Sequence, residues 1–427
     1  MRVVSADWVV PVEGEPIADG AVAIDDDGRI AAVGPSSELG VGERFEHAVI
    51  CPGFVNAHSH LEYQGYGGFG DGLPFPQWIA VHIERKGRLD EEGMLAQAFA
   101  GAGDCLRSGI TTVADASFSG AAVEAAAGLG LRAIVCLEVF DFLGPDAVTA
   151  SFEPMRERVA GSLSDRVRLG ISPHAPYTVS APLYQAAYAT GLPVVTHLSE
   201  SLPELEFLTT GSGPWAEIRH LLVEPPGETG TRLLARLGLL GSRTIAAHCV
   251  HVDEEEIELL ARHDAAVAHC PRSNSMLGCG VAPLLELRAA GVRVGLGTDS
   301  PASTPSFDMF EEMRTALFAA RARAHTPAAI SAADILRLAT LDGARALGLA
   351  DLTGSLVAGK AADLAVVSLD GSSFDPAGDP VAAAVFAGSP DRVIATLVGG
   401  DDRYRRESTR WHDLRNRARA ARRAMLA

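Results

Sequence analysis

The spacing of apolar and polar positions divides the chain into segments of different texture. Over 1–52, runs such as AVAID and RIAAVG alternate apolar with polar residues around Asp27-Gly28, a dipeptide suited to the tight turn of a hairpin. The same texture returns over 350–405, in GSLVAGKAADLAVVSLD and RVIATLVGGDDRY. Neither piece is large enough to fold alone, so the pattern predicts a small β-sandwich domain formed by both chain ends. Between them, over 53–349, eight short and nearly continuous apolar runs alternate with helical stretches rich in Ala, Leu, Glu and Arg. The runs lie at 53–58, 111–116, 133–139, 169–175, 194–200, 244–250, 266–272 and 294–300. Continuous apolarity suits strands buried on both faces. Eight strand-then-helix units of this length predict an α/β fold of the TIM type, a (β/α)8 barrel. A doubly wound open sheet is the alternative, but no glycine fingerprint opens its first βα turn. The remaining residues, 406–427, read as a basic C-terminal helix.

Polar residues in most of these runs come only after the apolar part is finished, at the strand end where a barrel collects its catalytic groups. NAHSHLEY closes the first run. Residues i and i+2 of a strand point the same way, so His58 and His60 can face one point at the barrel mouth. An HxH pair alone is a weak signal. His197, His248 and Asp299 take equivalent places on the fifth, sixth and eighth runs, and five convergent polar residues are poorly explained as buried core histidines. Two or three imidazoles with a carboxylate and an open position suit a catalytic zinc or iron(II) ion. Such an ion lowers the pKa of bound water towards 7 and supplies a nucleophile at neutral pH.

The HSH of the first strand, THLSE around His197 and Glu200, AAHCVH around His248 and GTDSPAS around Asp299 together resemble the amidohydrolase superfamily. More narrowly they resemble its deaminase and chlorohydrolase branch, which handles S-adenosylhomocysteine, methylthioadenosine, aminofutalosine, guanine and triazines. The resemblance covers nearly the whole chain and implies His58, His60, His197 and Asp299 as metal ligands, with His248 beside the attacked water. Asp299 and His248 then accept the water's proton, and Glu200 acts as the acid that protonates a ring nitrogen. Members with two metals bridge them through a carboxylated lysine at a strand end. This chain has only Lys86 and Lys360, and neither position reads as able to reach the barrel centre. One metal per chain, zinc or iron(II), is therefore expected.

Candidate substrate contacts are less specific. In similar deaminases the histidine of PHAPYTVS, here His174, touches the substrate ring; a strand-capping histidine is the plainer alternative. Glu84 follows Trp78 in PFPQWIAVHIE near the place where nucleoside-type members carry a ribose-binding Glu, but a solvated helix residue fits as well. Arg272 and Asn274 of CPRSNSMLG are candidates at the mouth. Arg85, Lys86 and Arg88 read either as an exposed helix face or as the receiver of a substrate carboxylate. Glu62 is either a support for a metal ligand or a substrate contact.

HLE, PHAPYTVS and HLSES look most like the aminofutalosine deaminase group within the branch. The expected activity is hydrolytic deamination of a 6-aminopurine nucleoside or related amino-heterocycle. The alternatives are a triazine hydrolase, a guanine-type deaminase, a cyclic-amide hydrolase on the same fold, and a catalytically silent binding protein.

Composition narrows the partners. Lys and Arg number 36 against 54 acidic residues, a net charge of −18 that argues against nucleic acid. The exception is 401–427, with nine arginines against four acidic residues, which suits packing on the chain's own acidic body or on a partner subunit in a homodimer. No apolar run is long enough to span a membrane, and MRVVSADWVV lacks the features of an export signal, so a cytoplasmic protein is expected. The six cysteines form no CxxC pair and sit in apolar runs, as small buried hydrophobes do.

Overall fold

The computed structural model describes residues 1–144 and 146–426. In chain order, β1 (Arg2–Val9), β2 (Ile17–Ile24), β3 (Ile30–Pro35) and β4 (Glu43–Pro52) come first. The next eight strands are β5 (Phe54–Ser59), β6 (Ile110–Ser117), β7 (Arg132–Val139), β8 (Val167–Pro173), β9 (Val194–Leu198), β10 (Thr244–His248), β11 (Ala266–His269) and β12 (Arg293–Leu296). The chain closes with β13 (Leu364–Ser368), β14 (Val393–Val398) and β15 (Asp401–Arg405).

Strands β5 to β12 pair in sequence order as one parallel eight-stranded sheet with helices between them, the (β/α)8 arrangement. Every residue of β5, β6 and β7 is buried, which is why these strands carry apolar runs with no alternation. The last strand returns to the first. The Asn56 amide donates to Thr298 Oγ1 at 2.7 Å, Thr298 N donates to Asn56 Oδ1 at 2.9 Å, and Asp299 N donates to His58 O at 3.0 Å. Gly297 permits this approach, because a Cβ there would stand 2.9 Å from His58 Cβ. Barrel closure thus brings Asp299 beside His58.

The two chain ends share a seven-stranded sheet in the order β15-β14-β13-β4-β1-β2-β3. Its strands alternate with period two. Ala48, Ile50, Leu364 and Val366 point into the sheet's own core with Val4, Val22 and Ile24, whereas Val49, Cys51, Ala365 and Val367 join the core shared with the barrel helices. A buried ion pair fastens the two units: Arg132 of β7 donates to both oxygens of Asp363, at 3.0 and 3.2 Å.

The basic helix Arg410–Leu426 lies on the chain's own body, along the helix Glu91–Arg107. Gln97 Nε2 donates to Ala418 O at 3.1 Å, and Arg415 pairs with Asp104 at 3.6 Å. Arg422 donates to the carbonyls of Gly65 and Gly67, and so holds the loop that follows the first barrel strand. All six cysteines are buried and free. No described helix is long and apolar enough to cross a membrane.

Candidate metal centre and active site

His58 lies near the end of β5 and His60 just beyond it, His197 lies on β9, His248 ends β10, and Asp299 follows β12. The backbone at these strand ends is unusual. Ser199, His248, Cys249 and Asp299 all have positive φ, at 52°, 76°, 45° and 54°. Such conformations cost energy in non-glycine residues and persist where the surroundings over-determine them. They fall where the chain leaves β9, β10 and β12, beside His197, His248 and Asp299.

There, His58, His197 and His248 form one group, His58, His60 and Asp299 a second, and Glu200, His248 and Asp299 a third, each with donor atoms within 4.8 Å of one another. The groups share members, so they describe one centre. His60 Nδ1 donates to Ala116 O at 2.8 Å and His197 Nδ1 to His174 O at 2.9 Å. With those protons committed, the Nε2 lone pairs of His60 and His197 face each other at 3.2 Å, an arrangement that a shared cation relieves. Asp299 Oδ2 accepts from Ser273 Oγ at 2.7 Å and Ser303 Oγ at 2.6 Å, while Oδ1 lies 3.7 Å from His58 Nε2 and 3.5 Å from His60 Nε2. Neither ring nitrogen of buried His58 has a hydrogen-bond partner, nor does His248 Nε2. Buried polar atoms without partners are rare in native proteins, and these fit a metal. His248 Nδ1 donates to Asn274 Oδ1 at 2.9 Å, which aims Nε2 at the centre.

The electrostatics agree with that fit. Burial, reinforced by the neighbouring imidazoles, pushes His58 and His197 well below the usual histidine range and keeps them neutral with lone pairs available. Burial opposes the charge on Asp299, but His60, His248 and the Ser303 hydroxyl outweigh it and hold the carboxyl below its ordinary range. Glu200 is the opposite case. Burial first, then the Asp299 charge, raises it well above a normal glutamate, the direction that suits a proton donor. Its Oε1 lies 3.6 Å from His248 Nδ1, and its backbone N–H is held by Glu204 Oε2 at 2.7 Å.

A cavity of about 920 Å³ opens over the centre. His60, His197, Glu200, His248 and Asp299 form its polar floor. Phe75, Trp78, Phe118, Phe140 and Tyr177 supply aromatic walls, and the far rim carries Asp90, Glu91, Glu92, Glu124 and Arg158. His174 lines the cavity beside the floor. The Thr178 hydroxyl donates to Ala175 O at 3.2 Å and so takes the His174 Nδ1 proton at 2.8 Å, leaving Nε2 as an acceptor. Trp78 also lines the cavity, with Nε1 tied to Ala302 O at 3.3 Å.

Other sequence candidates lie elsewhere. Glu84 is outside the cavity lining: its side chain is 59% exposed and pairs with Arg88 one helical turn on. Arg272 is buried but structural, donating to Ser306 O at 3.0 Å and Asp308 O at 3.1 Å and pairing with Glu311 and Glu312. Glu62 touches neither the metal donors nor the cavity. Its carboxylate accepts from Ser117 Oγ and from Ser119 N at 3.1 Å, fastening the chain after β5 to the loop after β6. The basic trio splits. Arg85 and Arg88 donate to Met425 O, whereas Lys86 turns into the cavity, with its ammonium against Tyr63 and Phe118. The cavity residues not singled out in the sequence include Glu138 at the end of β7 and His82 on the helix Phe75–Lys86. For Glu138 the signal was present, as the one carboxylate closing the third apolar run.

The amidohydrolase family model matches residues 49–401. A 5-methylthioadenosine/S-adenosylhomocysteine deaminase of Moorella thermoacetica is 36% identical over 412 residues, spanning 92% of this chain and 91% of that protein. A 5'-deoxyadenosine deaminase of Methanothermobacter thermautotrophicus is 33% identical over 399 residues, spanning 90% and 89%. Among solved structures, an adenosine deaminase from Xanthomonas campestris with bound zinc superposes with a TM-score of 0.88 at 30% identity, covering 99% of this chain and 98% of that one.

Proposed function

Because the chain belongs to the amidohydrolase family, we propose that it is a metal-dependent deaminase of adenosine derivatives, converting the 6-amino group of the purine to a carbonyl with release of ammonia. The observation that carries this reading is the buried Glu200 carboxyl beside a centre of imidazole lone pairs and one carboxylate. His58, His60, His197 and Asp299 would hold a single zinc ion, with iron(II) the alternative. When bound, the ion acidifies a water molecule at neutral pH.

The chain's own residues do the rest. Asp299 and His248 take the proton of the attacking water as its oxygen bonds to the amine-bearing ring carbon. Glu200 gives its proton to the adjacent ring nitrogen, so that negative charge never accumulates on the ring. The carbon–nitrogen bond then breaks, the proton first taken from the water leaves with the amine as ammonia, and the remaining hydroxyl proton passes to the Glu200 carboxylate as the carbonyl forms, restoring the acid. His174 Nε2 faces the ring as an acceptor, and the aromatic walls exclude water from its faces. The relatives' substrates are adenosines altered at the 5' position, and a cavity that runs past the floor to a polar rim suits such a substituent.

Ammonia release from metal-replete protein tests this reading. Adenosine, 5'-deoxyadenosine, methylthioadenosine, S-adenosylhomocysteine and aminofutalosine are compared with guanine and a triazine. Turnover concentrated among the adenosines supports it; turnover of guanine or the triazine alone contradicts it.

A further inference from the structure

The cavity holds two charged side chains that the chemistry above does not use. Glu138 is 3% exposed, lines the cavity, and makes no hydrogen bond or ion pair to any described residue. Lys86 reaches the cavity from the helix Phe75–Lys86. Its ammonium lies 3.7 Å from the centre of the Phe118 ring and makes one hydrogen bond among the described residues, to Tyr63 Oη at 3.3 Å. At least two of its three N–H donors therefore have no protein acceptor. A buried carboxylate and a half-buried ammonium, neither fully satisfied, gain from a ligand that completes them.

The chemistry of that ligand follows from charge. An anionic group drawn to Lys86 would face the Glu138 carboxylate, which lines the same cavity. A cationic group drawn to Glu138 would face Lys86. A neutral group rich in hydroxyls meets neither repulsion, because it can donate to Glu138 and accept from Lys86. Resting on the nucleoside reading above, we propose that Glu138 and Lys86 form the sugar subsite: the Glu138 carboxylate accepts from the vicinal hydroxyls of the ribose, and the Lys86 ammonium donates to a sugar oxygen. The task expected of Glu84 falls instead to these two residues. Glu138 lines the same cavity as His60, His197 and Asp299, so a sugar attached to a ring seated on the floor can meet it.

Binding of reaction products separates this proposal from the catalytic reading. Calorimetry on the metal-replete protein compares inosine, 2',3'-dideoxyinosine and free hypoxanthine. A hydrogen bond to a charged group is worth roughly 10- to 150-fold in affinity. Wild type should therefore prefer inosine over its dideoxy analogue by about 100-fold. Glu138→Gln and Lys86→Met should each cut that preference below about 10-fold while leaving hypoxanthine affinity within about twofold, which shows that the floor remains intact. Equal binding of inosine and the dideoxy analogue by wild type overturns the proposal even if adenosines are turned over. So does an undiminished preference in both variants. If Lys86→Met loses affinity only for a nucleoside bearing a 5'-carboxylate, Lys86 serves an anionic substituent and the proposal is overturned. Failure of wild type to bind either nucleoside or hypoxanthine overturns the nucleoside reading itself.

Discussion

The Nε2 atoms of His60 and His197 face each other at 3.2 Å while each Nδ1 donates its proton to a backbone carbonyl. Two neutral imidazoles so fixed repel through their lone pairs. Replacing His197 with Ala should lower zinc affinity by at least about 100-fold, and so should exchanging the Ala116 carbonyl's partner, His60, for Ala. Equilibrium competition with a chelator measures both.

Glu200→Gln keeps the shape of the side chain and removes its transferable proton. Turnover should fall by about 10²- to 10⁴-fold, the usual worth of a positioned acid, with bound zinc per chain unchanged. Steady-state rates read beside metal analysis check this, and a variant within tenfold of wild type would refute the role.

Asn274 fixes His248 by accepting its Nδ1 proton at 2.9 Å. Asn274→Ala frees the ring to rotate and should lower kcat by about 10- to 100-fold. The effect of Asn274→Ala combined with His248→Ala should be no larger than that of His248→Ala alone, since both remove one function.

Burial holds the Glu138 carboxyl above its ordinary value of 4.5. The folded protein thus keeps a proton that the unfolded chain gives up, and this contribution to stability is present below pH 4.5 and lost as pH rises through the raised value. Glu138→Gln has no such titration. The melting temperature of the variant minus that of wild type should therefore climb as pH rises above 4.5, as followed by calorimetry.

Arg132 and Asp363 join the barrel to the terminal sheet through a buried pair, and Asp363 also accepts from Thr353 Oγ1 at 2.9 Å and Gly399 N at 2.7 Å. Arg132→Met leaves the carboxylate buried without its counter-ion and should cost about 3–5 kcal/mol in denaturant unfolding.

The barrel was legible in the sequence because strands covered on both faces are apolar throughout, so the first polar residue marks the strand end. That rule places His58, His197, His248 and Asp299 at one rim before any distance is known. The helix Phe75–Lys86 was harder to read. Glu84 and Lys86 are two residues apart, roughly 200° around a helix, so only one of them can face the cavity. The face carrying Trp78, Ile79 and His82 continues to Lys86 and not to Glu84. The periodicity was in the sequence, but which face turned inward depended on distant partners, Met425 for Arg85 and Ala302 for Trp78. Arg272 misled for a related reason: a strand-end arginine beside a loop resembles a pocket residue until Ser306, Asp308, Glu311 and Glu312 are seen to consume its donors.

One measurement bears most directly on the link between the centre and the reaction. Chelator-stripped protein is titrated with zinc while bound metal and ammonia release from methylthioadenosine are followed together. Both curves should saturate at one zinc per chain, with turnover absent at the start. Full turnover by the stripped protein, or one tightly bound zinc per chain with no ammonia from any adenosine derivative, would contradict the account.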